Sequence, residues 1–170
     1  MSEAENLRAI AEVAIAIAGF TGVVVALGSR TRGEWSLAAA NNLWLLLSQA
    51  LVVTLSAFLP ILLGSAGIGE RPLWRVSNGL LAIATWAVGG HMAFRMRYRL
   101  TQSASLLGRC LEYLSLAIGG VISVAQLVHS AGALPGAGPF LFLLALLFLL
   151  AASVANFWRL LMGSLVVEPR

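Results

Sequence analysis

Long apolar runs alternate with short polar breaks along this chain, and the runs are of membrane-spanning length. They cover 7–27, 41–63, 76–94, 110–128 and 139–162. A helix that crosses the hydrocarbon core needs about 20 mostly apolar residues. The pattern predicts an all-α fold, a polytopic membrane helical bundle with five transmembrane helices. The count drops to four if the first run, interrupted by Glu12, lies at the interface. Spanning is favoured for that run because it is apolar all round beyond Glu12, whereas an interfacial helix keeps a polar face. The breaks read as turns: Gly64-Ser65-Ala66-Gly67, and the uncharged 134–139 stretch with Pro135, Gly136 and Pro139. Pro60 is expected to kink or end the second span, and Ser36 is placed to cap its start. Residues 1–170 read as a single transmembrane domain.

Polar positions inside the runs rank the helices. Asn42, Gln49 and Ser56 recur every seven residues in the second run and fall on one helix side. Unpaired polar groups are costly in hydrocarbon, so this stripe should face protein or water, which makes the second helix the expected centre. The fifth run is rich in Leu and Phe on every side until Ser153 and Asn156, and is expected at the lipid-facing periphery. Small residues at four-residue spacing are expected to pack: Ala14, Ala18, Gly22 and Ala26 in the first run, and Ser115, Gly119 and Ser123 in the fourth. They suit packing within the chain or a subunit interface.

Charge sets the threading. Arg30, Arg32, Arg95, Arg97, Arg99, Arg109, Arg159 and Arg170 fall on one face of a five-span protein, against Arg8, Arg71 and Arg75 on the other. The positive-inside rule then puts the N-terminus outside and the C-terminus in the cytoplasm. The net charge of +4 belongs to these loops and does not call for a nucleic-acid partner. Arg95, Arg97 and Arg99 form the densest basic run and are placed to meet anionic lipid. Hydrophobic residues make up 59% and charged residues 11%, well below the roughly 25% of soluble domains, so no soluble domain fits between the spans. All basic residues are Arg and all acidic ones Glu, for which there is no physical account. Cys110 is alone, which excludes an intrachain disulfide.

Ionisable residues at membrane depth are where function is sought first. The threading gathers Asn41, Asn42, His91, Arg95, Glu112, Asn156 and Arg159 at the cytoplasmic end, and Glu12, Ser77, Asn78, Gln126 and His129 at the outer end. Glu112 has Arg109 three residues before it and reads as a helix-end salt bridge or a gate. Glu12 has Arg8 one turn away and reads as an interfacial or a buried carboxyl. His91 and His129 fall at opposite ends, roughly 20–30 Å apart, too far to share a metal within one chain. No catalytic, cofactor or metal motif stands out. The expected partners are the lipid bilayer and a second copy or another membrane protein.

The first 65 or so residues carry one resemblance. Ala11-Glu12-Val13-Ala14 leads to Ala18-Gly19-Phe20-Thr21-Gly22-Val23-Val24, then a basic turn, then a polar-striped helix ending Phe58-Leu59-Pro60. This resembles a group of small, uncharacterised bacterial membrane proteins with an E-x5-A-G-F-[ST]-G first span. The resemblance implies a bacterial inner membrane and no known activity. Two functions fit the residues: a non-enzymatic structural or partner-binding subunit that self-associates, or a small oligomeric channel or transporter lined by the second helix.

Overall fold

The computed structural model describes residues 3–32, 37–99 and 106–165. It has five α-helices: α1 Glu3–Arg32, α2 Leu37–Ser65, α3 Glu70–Arg99, α4 Leu106–Ser130 and α5 Gly138–Leu165. Among the described residues there is no strand. The shortest helix has 25 residues and the longest 30, so at 1.5 Å per residue they are about 38–45 Å long. They are longer than a hydrocarbon core of about 30 Å is thick. Four of them are long and apolar enough to cross a membrane: α1 over Ala4–Val25, α2 over Ala40–Ser65, α4 over Cys110–Ser130 and α5 over Gly138–Leu161.

The helices extend beyond the apolar runs at both ends. α3 starts at Glu70, so Arg71 and Arg75 are helical and the α2–α3 connection shrinks to 66–69. Glu70 complements the helix dipole in the first turn, where Pro72 also has no conflict with the backbone. Pro60 does not end α2, which runs on to Ser65. Gly67 ends it instead. Its φ of 78° is left-handed. Ile68 N–H donates to the Leu63 carbonyl at 3.2 Å and Gly67 N–H to that of Gly64 at 3.0 Å. Gly132 closes α4 in the same way, with φ 93° and bonds from Ala133 N–H to Val128 (3.1 Å) and from Gly132 N–H to His129 (2.8 Å). Both are Schellman caps, which satisfy carbonyls left over at a helix end. The Ser36 cap lies outside the described residues, as do 33–36 and 100–105 generally.

The packing corrects the expected ranking of helices. α5 touches all four of the others, while α1 meets α2, α2 meets α3 and α3 meets α4. The first four helices thus form an arc around α5, open between α1 and α4. α2 and α5 make the most extensive contact and share the centre. The buried face of α5 is a helical stripe of Phe142, Ala145, Leu146, Leu149, Ser153 and Asn156, and the opposite side exposes Phe140, Leu144, Leu147 and Trp158. Uniform apolarity misleads here because lipid is as apolar as a protein core. Helices in lipid associate through close packing and polar contacts rather than hydrophobic burial. The core at the turn end joins Leu7, Ala11 and Ala14 of α1 to Val53 and Ala57 of α2, Trp74 of α3, and Phe142 and Leu146 of α5. Trp74 meets Phe142 edge-on, with ring centroids 5.7 Å apart.

α3 is not among the four most apolar helices, and its faces explain why. Ser77 and Asn78 are fully buried, whereas Val76, Leu80, Ile83, Trp86 and Phe94 are exposed. Polar inside and apolar outside is the reverse of an amphipathic helix in water.

If α5 occupies the centre, Phe142→Ala lowers stability by about 3 kcal/mol, the scale of a large-to-small core change. Phe140→Ala, two residues away and 67% exposed, leaves it within about 0.5 kcal/mol. Unfolding titrations in mixed micelles measure both, and equal losses would contradict the placement.

Candidate functional site

Two groups of polar side chains stand out against the apolar bundle. The first links the central pair. Asn156 Nδ2 on α5 donates to Gln49 Oε1 on α2 at 3.0 Å, and one turn earlier Ser153 Oγ donates to the Leu46 carbonyl at 3.1 Å. Gln49 and Asn156 are both buried. Asn42 and Ser56, the other members of the α2 stripe, are half-buried, because a seven-residue step drifts by roughly 20° on a straight helix. On the same end of the bundle, the His91 ring of α3 stacks on Trp44 of α2 with centroids 3.9 Å apart and a 35° tilt. Its Nε2 is buried without a hydrogen-bond partner. Glu112 of α4 pairs with Arg159 of α5, at 3.6 Å between Oε1 and Nη1. Both are partly exposed, so this ion pair contributes at most about 1 kcal/mol. The side chains of Arg95, Arg97, Arg99 and Arg109 lie outside the described residues.

The second group ties α3, α4 and the start of α5 together at the turn end. Asn78 Nδ2 donates to the Trp74 carbonyl at 2.9 Å and to the Gly138 carbonyl at 3.0 Å. Gln126 Nε2 donates to Asn78 Oδ1 at 3.2 Å. His129 Nδ1 lies 2.6 Å from the Leu134 carbonyl, which requires the Nδ1–H form, and Ser130 Oγ donates to the Arg75 carbonyl at 2.8 Å. Gly138 is the point of closest approach: a Cβ there would lie 2.6 Å from Trp74 Cβ and 2.8 Å from His129 Nε2. Ser77 Oγ, Gln126 Oε1 and His129 Nε2 are buried without partners. Sequence placed Ser77, Asn78, Gln126 and His129 in one layer; it missed Gly138, whose signal was the Gly-Pro pair opening α5.

Glu12, the remaining residue expected in that layer, stands at the same end of the bundle but faces outward. α1 meets only α2 and α5 among the described residues. Glu12 is exposed on its outward face, in line with Ala16, Gly19 and Val23 and one turn from the exposed Arg8. Glu12 and Arg8 form no ion pair with one another. The four-residue stripe expected to pack turns out of the interface: Ala14 is buried, Ala18 half-buried and Gly22 exposed. A four-residue step advances 40° around a 3.6-residue helix, so such a stripe cannot stay on one contact for three turns. A Cβ at Gly22 would meet nothing within 4 Å. At Gly119 on α4 a Cβ would stand 2.9 Å from the Phe148 ring of α5, so this glycine does admit a close neighbour.

These groups can hold helices together. Among the described residues no three His, Cys, Asp or Glu side chains gather as a metal site would require. For the central pair, Gln49→Leu strands the Asn156 amide and costs about 1–3 kcal/mol. The Gln49→Leu/Asn156→Leu double variant regains most of it, because both partners are then apolar. A double-mutant cycle by unfolding in micelles measures the coupling. Additive losses would mean that the bond contributes nothing.

Comparison with known protein families, curated proteins and solved structures found no match.

Proposed function

We propose that the protein is a non-catalytic integral membrane subunit that self-associates through the outward face of α1. The observation that carries this reading is the exposed Glu12 eight residues into the Ala4–Val25 span, about 12 Å along the helix. An ionised side chain facing lipid near mid-helix costs about 2.5–3.5 kcal/mol on insertion scales. A second copy removes that cost. Two α1 helices related by a two-fold axis along the membrane normal put Arg8 of each one turn, about 6 Å, along the axis from Glu12 of the other, within reach of its long side chain, with Ala16 and Gly19 allowing close approach. Only 17% of the span is buried within one chain, which leaves this face available.

The same reading takes five spans rather than four. The residues that reduce α3's apolarity, Ser77 and Asn78, are turned inward, and its outward surface suits lipid as well as that of any other helix. With five spans, the arginine distribution supports an outside N-terminus and a cytoplasmic C-terminus, in the bacterial inner membrane that the first-span resemblance implies. The bond between Gln49 and Asn156 within one chain favours packing over a pore lined by α2, since it occupies the middle of the polar stripe.

Cross-linking in native membranes tests the interface. In a Cys110→Ser background, Ala16→Cys is expected to form a disulfide-linked dimer on oxidation. Val121→Cys, 71% exposed on α4, is expected to stay monomeric. Glu12→Ala should weaken the dimer at least tenfold. A monomeric mass in nanodiscs together with no Ala16→Cys cross-link would overturn the proposal. Ion flux into liposomes that falls in both Gln49→Leu and Glu12→Gln would replace it with the channel reading. A reporter fused within 100–105 should read cytoplasmic.

A further inference from the structure

A cleft of about 250 Å³ runs between α3 and α4, with Phe148 and Leu149 of α5 behind it. Gln126 bonds to Asn78 and Ser130 to the Arg75 carbonyl, so α3 and α4 are tied together at the turn end. The cleft begins beyond those bonds. It runs toward the other end of the bundle, from Thr85 and Ser123 to Ala93 and Ser115. Eight residues of α4 make it about 12 Å long. Glycines form much of its walls, Gly89 and Gly90 on α3 and Gly119 and Gly120 on α4. A Cβ at Gly90 or Gly120 would meet nothing within 4 Å, so the space beside these two is free. Trp86, Gly90 and Ala93 are exposed, which opens the cleft sideways to the surroundings of the bundle.

An ion pair stands at its mouth. Glu112 is three residues from Ser115 and eleven from Ser123. Eleven residues are about three turns, so Glu112 is on the cleft side of α4. Arg159 is likewise eleven residues from Phe148, on the cleft side of α5. The two meet at 3.6 Å, with side chains 21% and 35% exposed. Each is two residues inside the end of its span, where hydrocarbon gives way to the polar layer. A charge-assisted bond is about 2.7–2.9 Å long, so this pair is loose and neither group is used up. A carboxylate has acceptor sites to spare, and a guanidinium has several N–H donors.

Length and charge together select the occupant. Half of a hydrocarbon core of about 30 Å is about 15 Å, the reach of the acyl chains of one leaflet. An apolar cleft of about 12 Å that stops one turn short of an ion pair has the proportions of a single lipid. Engineered cavities of about 150 Å³ hold the carbons of one benzene ring. On that scale the 250 Å³ cleft holds ~10 carbons. A cation and an anion side by side complement a head that carries both signs. We propose that the cleft seats an acyl chain of a zwitterionic phospholipid from the leaflet at the Glu112 end. Its primary ammonium donates to Glu112, and its phosphate accepts from Arg159. A choline head has no N–H to donate. A glycerol head brings a phosphate with no cation to offset Glu112. The site rests on the bundle being in a membrane and is independent of the α1 interface.

The test titrates the full chain in detergent micelles with dioleoyl phosphatidylethanolamine, phosphatidylcholine and phosphatidylglycerol in turn, and native mass spectrometry counts the bound lipid. The expected result is one ethanolamine lipid per chain, held about tenfold more tightly than either of the others, the scale of one hydrogen bond to a charged group. Gly120→Leu fills the open wall with a better helix former. It should weaken binding of all three lipids at least tenfold, with helicity by circular dichroism unchanged. Gly22→Leu also enters open space, but on α1, and should bind as wild type does. Glu112→Gln should lower the ethanolamine lipid to the affinity of the choline lipid. Equal affinities for the three lipids in wild type, a preference for the glycerol lipid, or undiminished binding in Gly120→Leu would each overturn the proposal. So would a dimer that Gly120→Leu dissociates, because the occupant would then be a second copy.

Discussion

Hydrocarbon offers no hydrogen-bond partner, and that constraint orders this molecule. The cost of an unpaired polar side chain there favours a partner on another helix or in its own backbone. Gln49 and Asn156 meet between α2 and α5. Asn78 is shared by α3, α4 and α5 through its own backbone neighbour Trp74, the Gly138 carbonyl and Gln126. Thr21 and Thr54 return their hydroxyls to carbonyls one turn back, at 2.7 Å and 2.9 Å. The apolar residues do the opposite and populate the surface, with Phe20, Leu55, Ile83, Val121 and Phe140 all more than 60% exposed. These few bonds join α2 to α5 and α3 to α4 and α5, while α1 packs through Leu7, Ala11 and Ala14.

The two polar layers work at different strengths. At the turn end, side-chain bonds combine with two Schellman caps and with the contact of Gly138 against Trp74 and His129. Backbone and side chains there hold each other, and each element depends on the glycine beside it. At the other end, the Glu112–Arg159 pair is partly exposed and His91 is held by ring stacking on Trp44. At the first end the Trp74, Gly138, Leu134 and Arg75 carbonyls all accept side-chain bonds.

Apolar length was legible in the sequence: each of the five expected runs lies within one of the five helices. The grouping of Asn78 with Gln126 was legible too, because depth follows from counting residues along alternating spans. Centrality was not. In a soluble protein, hydrophobicity marks the buried face, but here α5 is equally apolar on its lipid side and its core side, so only Ser153 and Asn156 marked the inner one. Gly22 and Gly119 show a second limit. Both are small residues at helical spacing, yet one faces open space and the other a phenyl ring, because spacing gives a face and not its neighbour. The cleft beside Ser123 belongs to the same blind spot, since a gap is made by residues that fail to meet.

The bond between Gln49 and Asn156 also has a timetable. Its partners are 107 residues apart. At synthesis rates of about 5–20 residues per second, Asn156 emerges roughly 5–20 s after Gln49. Through that interval the final partner of the Gln49 amide does not yet exist. The closing helix of the fold is also its innermost one, so the first four must hold a vacant seat for it while they are being made. A chain cut short before α5 would therefore leave the Gln49 amide without its partner.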